Sequence, residues 1–380
     1  MSTKITLSQS RQDEFNIKLG RIRQYLGKKG WNGVALSTQA LFAFATAGGD
    51  NHVSQASEYG IAHVLITGDT VTVLSNNIEI PRLKAEEFDG IDTTGIEFWD
   101  CPWYEDHKIV GEIARRMGKN PYGSDSGLPG STGISDEFWA LTYGLTDREI
   151  ERYRVLGRDC SKAMEEALEQ VKPGITEHSV GGLICKALLD HSVRPHVILV
   201  ASDERVFSFR HPPPEAKKVK KHLMAVLCGK RGGLIINLTR MLHFAAKLPP
   251  DLERKHQAVC EVDVAYNAGT KIGRTAKDVL ADGIAEYEKH DFSEEWKLHH
   301  QGGPTGYQGR SYRGTPTETR VVLERQAYAW NPSITGTKSE DTILVQNGSI
   351  EFLSGPTKDW PTLTVKRDGK TYKRPAIKLV

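Results

Sequence analysis

A long helix with a marked start and a marked end divides this sequence into two parts. Thr146 stands three residues before Glu149, which is the capping-box pattern of a helix N-terminus. Apolar residues follow at helical spacing until the run Lys172-Pro-Gly174 ends the helix. We therefore predict a domain boundary directly before this helix, between residues 1–144 and residues 145–380.

Helical and strand-like segments alternate before this helix. Residues 14–29 carry apolar side chains at a loosely helical spacing and are followed by Gly30, whereas residues 61–66 and 70–74 are β-branched runs on either side of Thr-Gly-Asp. Such alternation is typical of an α/β domain. A chain of 380 residues also exceeds one ordinary hydrophobic core, which favours two domains.

The charge balance argues against nucleic acid as a partner. The chain has 50 Lys and Arg residues against 48 Asp and Glu residues, which leaves a formal net charge of +2. One local cluster of lysines is more typical of a solvated surface than of a nucleic-acid groove. Its members are Lys217, Lys218, Lys220 and Lys221.

Cysteine usage and hydropathy indicate the compartment. The five cysteines are odd in number, spread along the chain and without a Cys-x-x-Cys pair, which argues against a disulfide framework and a zinc knuckle. The N-terminus lacks the apolar segment of a signal peptide, and nowhere do eighteen apolar residues follow one another. We expect a cytoplasmic protein with no membrane partner.

Two histidines directly before a glycine-rich turn form the most distinctive local motif. His299 and His300 precede Gln-Gly-Gly-Pro, and two polar segments, Trp-Asn-Pro-Ser from Trp330 and Lys-Ser-Glu-Asp from Lys338, follow them. Imidazole beside glycine-rich backbone is typical of a cleft, since glycine lets the backbone approach a ligand. The alternative is a strand pair in which one histidine is buried and the other exposed.

His211 is a second candidate for a functional histidine. It lies in the proline-rich segment 207–214, where regular structure is disfavoured and a rigid loop can present a side chain to a ligand. The alternative is an ordinary turn residue before Pro212. Apolar runs at 222–228 and 234–240, on either side of a glycine-rich turn, predict a β-hairpin next.

These motifs occur in an order that resembles the family of creatinase, aminopeptidase P and prolidase. The order is the capped helix with Val-Lys-Pro-Gly-Ile-Thr-Glu, the histidine before the hairpin, Thr-Arg at its end, the central His-x-x-Gly, an x-Pro strand and Glu-Asp-Thr-Ile-Leu-Val. Residues 21–87 also look like the smaller N-terminal domain of these proteins, so the resemblance covers nearly the whole chain. It implies an α/β (α+β) protein of two domains, with a pita-bread catalytic domain at the C-terminus.

The family's peptidases hold two metal ions with two Asp, one His and two Glu side chains, and most of these positions are substituted here. The resemblance retains only His300 and Glu340, and the three missing carboxylates would have offset the charge of two divalent cations. We therefore expect no metal and no cofactor, with one atypical ion on His300, Glu340 and Cys228 as the alternative. The five positions correspond to Cys228, Asn237, His300, Asn331 and Glu340.

Creatinase, which retains the fold without metals, supplies the expected chemistry. The resemblance places its histidine base at His211, its central histidine at His300 and a carboxylate at Glu340. A further creatinase glutamate corresponds to Thr239, so creatine is not the expected substrate. We expect His211 and His300 to act as an acid-base pair, with Glu340 raising the pKa of one imidazole toward neutrality.

Other residues are candidates for binding a substrate. Asn237 and Asn331 suit a neutral amide, a ureido group or a polarised carbonyl. Tyr307 occupies the place of a second peptidase histidine, and Cys228 is either a nucleophile or, as is usual in an apolar strand, a structural residue. The candidates for a substrate carboxylate, or alternatively for surface ion pairs, are Arg210, Arg310 and Arg313.

Three functions remain open from the sequence. The first is a metal-independent hydrolase that cleaves a C–N bond of a small, amino-acid-like molecule. The second is a peptidase of the aminopeptidase P or prolidase type with an atypical metal site, acting on short peptides. The third is a non-catalytic pita-bread module that binds a peptide or protein. The family also implies a homodimer.

Overall fold

The computed structural model describes residues 9–380, so the first eight residues, where we expected no signal peptide, lie outside the described part. The chain divides into two compact units. The first comprises Met1–Glu151 with Gly232–Leu234, and the second comprises Arg152–Arg231 with Ile235–Val380. Across the described residues, no helix combines the length and the apolar character needed to cross a bilayer.

Within residues 9–151, the first unit contains five α-helices, six strands and the beginning of a sixth α-helix. The helices are α1 (Arg11–Lys29), α2 (Gln39–Ala45), α3 (Glu79–Arg82), α4 (His107–Met117), α5 (Asp136–Trp139) and α6 (Asp147–Glu169), which continues into the second unit. The strands are β1 (Gly33–Thr38), β2 (Tyr59–Thr67), β3 (Val71–Asn76), β4 (Ile96–Cys101), β5 (Tyr122–Ser124) and β6 (Thr132–Gly133).

The six strands form one mixed sheet in the order β4-β3-β2-β1-β5-β6. Strand β2 pairs antiparallel with β1 and β3, whereas the remaining neighbours pair parallel. The antiparallel pair β2–β3 confirms the hairpin predicted around Thr-Gly-Asp. Helices therefore alternate with strands, as the periodicity predicted.

Helix α1 shows how local chemistry sets the bounds of an element. It ends at Lys29 as predicted, because Gly30 takes the left-handed conformation (φ 66°) that a helix C-terminus favours. It begins three residues earlier than the predicted Glu14, since Ser10 and Asp13 form a capping box that the apolar pattern alone does not show.

The second unit contains the remaining helices and strands. The helices are α7 (Glu177–Asp190), α8 (Glu204–Ser208), α9 (Pro250–Gly269) and α10 (Ala276–Lys289). The strands are β7 (Arg194–Ser202), β8 (His222–Arg231), β9 (Leu234–His243), β10 (Gly302–Thr305), β11 (Gln326–Trp330), β12 (Ser333–Ile334), β13 (Thr337–Lys338), β14 (Asp341–Gln346), β15 (Ser349–Phe352), β16 (Thr362–Arg367), β17 (Lys370–Pro375) and β18 (Lys378–Leu379).

Two four-stranded sheets carry the second unit. One has the order β18-β9-β8-β7 and the other the order β10-β11-β14-β15. Strands β8 and β9 are neighbours joined by Gly232 and Gly233, both with positive φ (53° and 81°), which a tight hairpin turn requires. This pairing confirms the second predicted hairpin.

Helices α9 and α10 supply most of the core behind the second sheet. Tyr266 of α9 stacks on Trp330 of β11 with ring centroids 4.9 Å apart, and the indole nitrogen of Trp330 donates to Thr270 Oγ1 at 2.9 Å. Both aromatic side chains are fully buried. The mixed α/β architecture agrees with the predicted fold class, and the aromatic core gives the loops before β10 and β14 a rigid support.

Candidate active site

One cavity of the second unit gathers most of the residues predicted for the site. Its volume is ≈ 310 Å³, which lies at the lower end of small-molecule sites, about 300–1,000 Å³. Strands β7, β8 and β9 contribute lining residues, and so do the segments around β10 and β13. The predicted residues that line it are His211, Cys228, Asn237, His300, Asn331 and Glu340.

The glycine-rich turn after His300 is required for the close packing of this wall. Gly302 has a φ of 102°, and a Cβ atom there would lie 2.3 Å from the carbonyl oxygen of Ala329 and 2.8 Å from Oδ1 of Asn331. Only glycine fits such a conformation and such a close approach. The turn therefore brings His300 to the cavity that Asn331 also lines.

His211 and His300, which line this cavity, form a cluster with a third histidine, His299, which lines a second cavity. The Nε2 atoms of His211 and His299 lie 2.9 Å apart, and the ring of His300 lies 4.6 Å from that of His299 and 5.3 Å from that of His211. Both His299 and His300 lie outside the strands. The alternative of a strand pair is therefore wrong, and His299, to which the resemblance assigned no catalytic role, contacts the residue expected to act as the base.

All three imidazoles are held in the neutral form. Burial is the main cause that lowers the pKa of His300, to about 3, and Arg310 acts in the same direction. Burial followed by Lys338 lowers the pKa of His211, and burial lowers that of His299 well below its usual range. The neutral form is the one that a general base requires.

The expectation that Glu340 raises an imidazole pKa toward neutrality is wrong. Glu340 does act in that direction on His211, but burial and the charge of Lys338 outweigh it. The carboxylate is engaged elsewhere, because both of its oxygens contact cationic side chains.

Glu340 is a fixed anion between two cations. Lys338 Nζ lies 2.8 Å from Oε2, which also accepts a hydrogen bond from Thr239 Oγ1 at 2.8 Å. Arg310 Nη2 donates to Oε1 at 2.9 Å. Burial favours the protonated acid, but Lys338, Arg310 and the hydrogen bonds outweigh it and lower the pKa of Glu340 to about 2. Glu340 is therefore ionised and cannot serve as a proton donor near pH 7.

Asp341, the residue after Glu340, holds its segment in place through buried ion pairs. It pairs with Arg240, whose Nη1 lies 3.2 Å from Oδ1, and with Arg374, whose Nη2 lies 3.0 Å from Oδ2. Arg374 also pairs with Asp263 at 2.7 Å, and all four side chains are buried. This ionic network holds the backbone that presents Glu340 to the cavity.

The contacts of Cys228 favour a structural role over a nucleophilic one. Its thiol donates to Asn237 Oδ1 at 3.0 Å, and the amide nitrogen of Asn237 donates to Thr305 Oγ1 at 3.1 Å. Burial, with the nearby charge of Glu340, raises the pKa of the Cys228 thiol to about 12. A protonated thiol of this kind is a poor nucleophile and a poor metal ligand.

Three predicted substrate-binding residues lie outside the cavity lining, which corrects the sequence prediction for them. Arg210 pairs with Glu295 at 2.6 Å, so the alternative of an ion pair is the one realised. The Tyr307 hydroxyl is buried and accepts a hydrogen bond from Arg152 Nη2 at 2.9 Å. Arg313 lines a neighbouring cavity of ≈ 340 Å³ instead. Of the three arginine candidates, only Arg310 lines the site with the other predicted residues.

The side chains at the family's metal-ligand positions do not fit two divalent cations. They supply a protonated thiol, two amides, one imidazole and one carboxylate whose oxygens are held by Lys338 and Arg310. Nor do Cys228, His300 and Glu340 form a compact ligand group within residues 9–380. The three histidines do, because their ligand atoms lie within 4.8 Å of one another, and imidazole nitrogens suit a single borderline ion such as zinc.

Comparisons with known proteins agree with this fold. The X-Pro aminopeptidase of Thermotoga maritima has a TM-score of 0.75 at 13% sequence identity, covering 95% of this chain and 99% of that chain. The prolidase of Pyrococcus horikoshii also has a TM-score of 0.75, at 17% identity, covering 90% and 99%. The N-terminal domain of the FACT complex subunit SPT16 from chickpea has a TM-score of 0.68 at 11% identity, covering 92% and 98%. Identities this low show the fold alone.

The family itself follows from the sequence profile. A comparison with curated proteins found no match. The profile of metallopeptidase family M24 matches residues 151–347, which is more than half of the chain. The predicted family, its pita-bread fold and its class, a peptidase-like hydrolase, are thereby confirmed, and this chain belongs to metallopeptidase family M24.

Proposed function

We propose that this chain is a metal-independent hydrolase that cleaves a C–N bond of a small, amino-acid-like molecule. The observation that carries the proposal is the environment of Glu340. Its two oxygens, which a dinuclear centre would need, contact Lys338 and Arg310 instead. The site thus has its own cationic groups beside a cluster of neutral histidines.

His211 is the residue we assign as the base. It is exposed, whereas His299 is buried and His300 is half-buried. A water molecule and a substrate can therefore reach the His211 ring most easily, as a general base requires. The Nε2 atoms of His211 and His299 lie 2.9 Å apart, so one of them donates the hydrogen and the other accepts it.

The reaction then proceeds by addition of water and departure of an amine. A water oxygen attacks the carbon of the C–N bond while His211 takes one of the water's protons. The side-chain amide of Asn331, which lines the same cavity, can donate to the substrate oxygen on which negative charge develops. The imidazolium of His211 returns the proton to the leaving nitrogen, the C–N bond breaks, and an acid and an amine are released.

A substrate panel with controlled metal content tests this proposal. The full chain, purified without chelator, would be analysed for metals and assayed with N-carbamoyl amino acids, amidino amino acids and X-Pro dipeptides. We expect turnover of a C–N compound other than an X-Pro peptide, unchanged by chelation. Two bound transition-metal ions per chain together with loss of activity on chelation would overturn it.

The histidine cluster supports a second candidate, a peptidase with a single metal ion. His211, His299 and His300 present nitrogen atoms within 4.8 Å of one another, which suits three ligands of a catalytic zinc. This function predicts one ion per chain, X-Pro cleavage that chelation abolishes, and loss of the ion in His299→Phe. The nearby charges of Lys338 and Arg310 oppose a dication, which is why we place this candidate second.

A further inference from the structure

The cavity carries an unbalanced positive charge. Its charged side chains are Lys338, Arg310 and Glu340, and its histidines are neutral, so the sum of these charges is +1. Lys338 and Glu340 are each nine-tenths buried or more. Buried charges are normally balanced by a partner of the opposite sign. The single negative charge of Glu340 can balance only one of the two cations.

Within residues 9–380, donor groups of both cations lack a protein acceptor. Among the described residues, Glu340 Oε2 is the polar partner of Lys338 Nζ, and an ammonium group has three N–H donors. The Arg310 guanidinium donates to Glu340 and to the carbonyl oxygen of Gly309, but its buried Nε finds no hydrogen-bond partner in residues 9–380. Buried donors are rarely left unpaired, so each points to a missing acceptor.

The rest of the lining sets the size and character of that acceptor. Asn237 and Asn331 are amides without charge, and Val197, Leu199 and Val226 are apolar. The volume of ≈ 310 Å³ suits a small molecule rather than a polymer. A carboxylate, which the proposed amino-acid-like substrate carries, has two oxygens that can accept from an ammonium and a guanidinium at once.

We propose that Lys338 and Arg310, held in place by Glu340, form a binding site for the carboxylate of the substrate. The inference rests on the proposed function only for identifying the ligand as a substrate. The carboxylate site narrows the proposed substrate to an amino-acid-like molecule with a free carboxylate. It also gives Lys338 a binding role that neither the family match nor the sequence pattern assigns. Glu340 acts here as the positioning residue for the two cations.

Binding of matched anionic and neutral probes tests the site without requiring turnover. The probes are acetate, glycolate and N-acetylglycine, each compared with its uncharged amide, by calorimetry on the full chain. We expect at least one carboxylate to bind about tenfold or more tightly than its amide, which corresponds to about 1.4 kcal/mol. If no carboxylate binds better than its amide, the proposal is overturned.

Two variants distinguish an effect of the cavity charge on carboxylate binding from an effect of the substitution on folding. Lys338→Met brings the sum of the cavity charges to zero and should abolish the preference for carboxylates. Lys338→Met combined with Glu340→Gln restores the sum to +1 and should restore part of that preference. The exposed Lys297 is the matched control, because Lys297→Met removes the same charge outside this cavity and should change nothing. Equal carboxylate affinity in the wild type and Lys338→Met would refute the proposal.

The outcome is also distinguishable from failure of the proposed function. His211→Ala removes the assigned base but keeps Lys338, Arg310 and Glu340, so it should lose turnover and retain carboxylate binding. A chain that binds carboxylates in the expected pattern but hydrolyses none of the C–N compounds would support the site and refute the reaction. A chain that hydrolyses a neutral compound without any preference for carboxylates would support the reaction and refute the carboxylate site.

Discussion

His211 and His299 meet through their Nε2 atoms at 2.9 Å, a distance at which one ring must donate a hydrogen to the other. The contact joins a proline-rich loop to the residue before the central histidine. It links the protonation of the two rings, because a proton taken up by either one changes which ring can donate. The first predictions concern this pair.

Replacing His211 should remove most of the catalytic rate. General acid-base catalysis contributes roughly 10²- to 10⁴-fold, so His211→Ala should lower kcat by about that factor with the fold intact. Steady-state kinetics and circular dichroism measure the two effects. His191→Ala is the control, since His191 pairs with Glu166 away from the cavity and should leave kcat unchanged. A similar kcat in His211→Ala and wild type would exclude His211 as the base.

Replacing His299 should have a smaller effect and a different signature. His299→Phe removes the ring nitrogen that faces His211 Nε2 while keeping an aromatic ring of similar size. The loss of one neutral hydrogen bond, about 0.5–1.5 kcal/mol, predicts a fall in kcat of up to about tenfold. The pH profile of kcat should shift as well, because the proton of His211 is no longer shared. An unchanged profile would mean that His299 does not influence the base.

Gly302 should tolerate no side chain. A Cβ atom would lie 2.3 Å from the carbonyl oxygen of Ala329, and the φ of 102° is unfavourable for alanine. Gly302→Ala should therefore lower the free energy of unfolding by about 1–3 kcal/mol and displace His300. Gly306→Ala is the matched control, because a Cβ atom added there would have no neighbouring atom within 4 Å and the φ of Gly306 is not positive. Urea denaturation of both variants checks the prediction, which fails if they are equally stable.

Cys228 should be unreactive and dispensable for chemistry. Burial raises the pKa of its thiol to about 12, so almost no thiolate is present at pH 7.5. Cys185 and Cys228 are both half-buried, but the raised thiol pKa of Cys228 should make Cys185 the first to be alkylated by iodoacetamide, as peptide mass spectrometry would show. Cys228→Ser should keep kcat within about threefold, since a hydroxyl can still donate to Asn237. Rapid alkylation of Cys228 with loss of activity would restore the nucleophile hypothesis.

The free energy of unfolding should fall in mild acid. Burial lowers the pKa of His256 to about 4, whereas an unfolded histidine has a pKa of about 6.5. As the pH falls, the unfolded chain therefore binds a proton at His256 before the folded chain does. Stability is unaffected by this group above about pH 6.5 and decreases as the pH falls toward 4, by up to about 3 kcal/mol.

Denaturation of the wild type and of His256→Gln at pH 7 and pH 4.5 isolates this contribution. The variant should be less stable at pH 7, because His256 contacts Thr337 and the carbonyl oxygen of Pro375. Its stability should depend less steeply on pH, since the group that titrates is gone. Equal pH dependence in the two proteins would show that His256 is not a source of acid sensitivity.

Much of the fold could be predicted because its signals are local. The capping box at Thr146, the glycine that ends α1 and the Gly232-Gly233 turn each depend on a few neighbouring residues. The landmark motifs could place His211, His300 and Glu340 at one cavity for the same reason, since each motif belongs to one element of the pita-bread fold.

The contact partners of these residues could not be predicted, because they depend on which way the side chains of distant segments point. His299 meets His211 across 88 residues of sequence, and Arg310 reaches Glu340 across 30. Lys338 lies only two residues from Glu340, yet nothing in the sequence says that its ammonium turns toward the carboxylate. The error about the imidazole pKa followed from this, since the charges nearest the histidines are cations.

The ionic network around Asp341 extends the boundary of the functional unit beyond the family match. Arg374, one of the two buried arginines that face Asp341, stands in β17, after residue 347, where the match to the M24 profile ends. A chain cut after residue 347 would leave Asp341 with Arg240 alone and Asp263 without its ion-pair partner. The C-terminal strands therefore stabilise the segment that carries Glu340, and a minimal active fragment must include them.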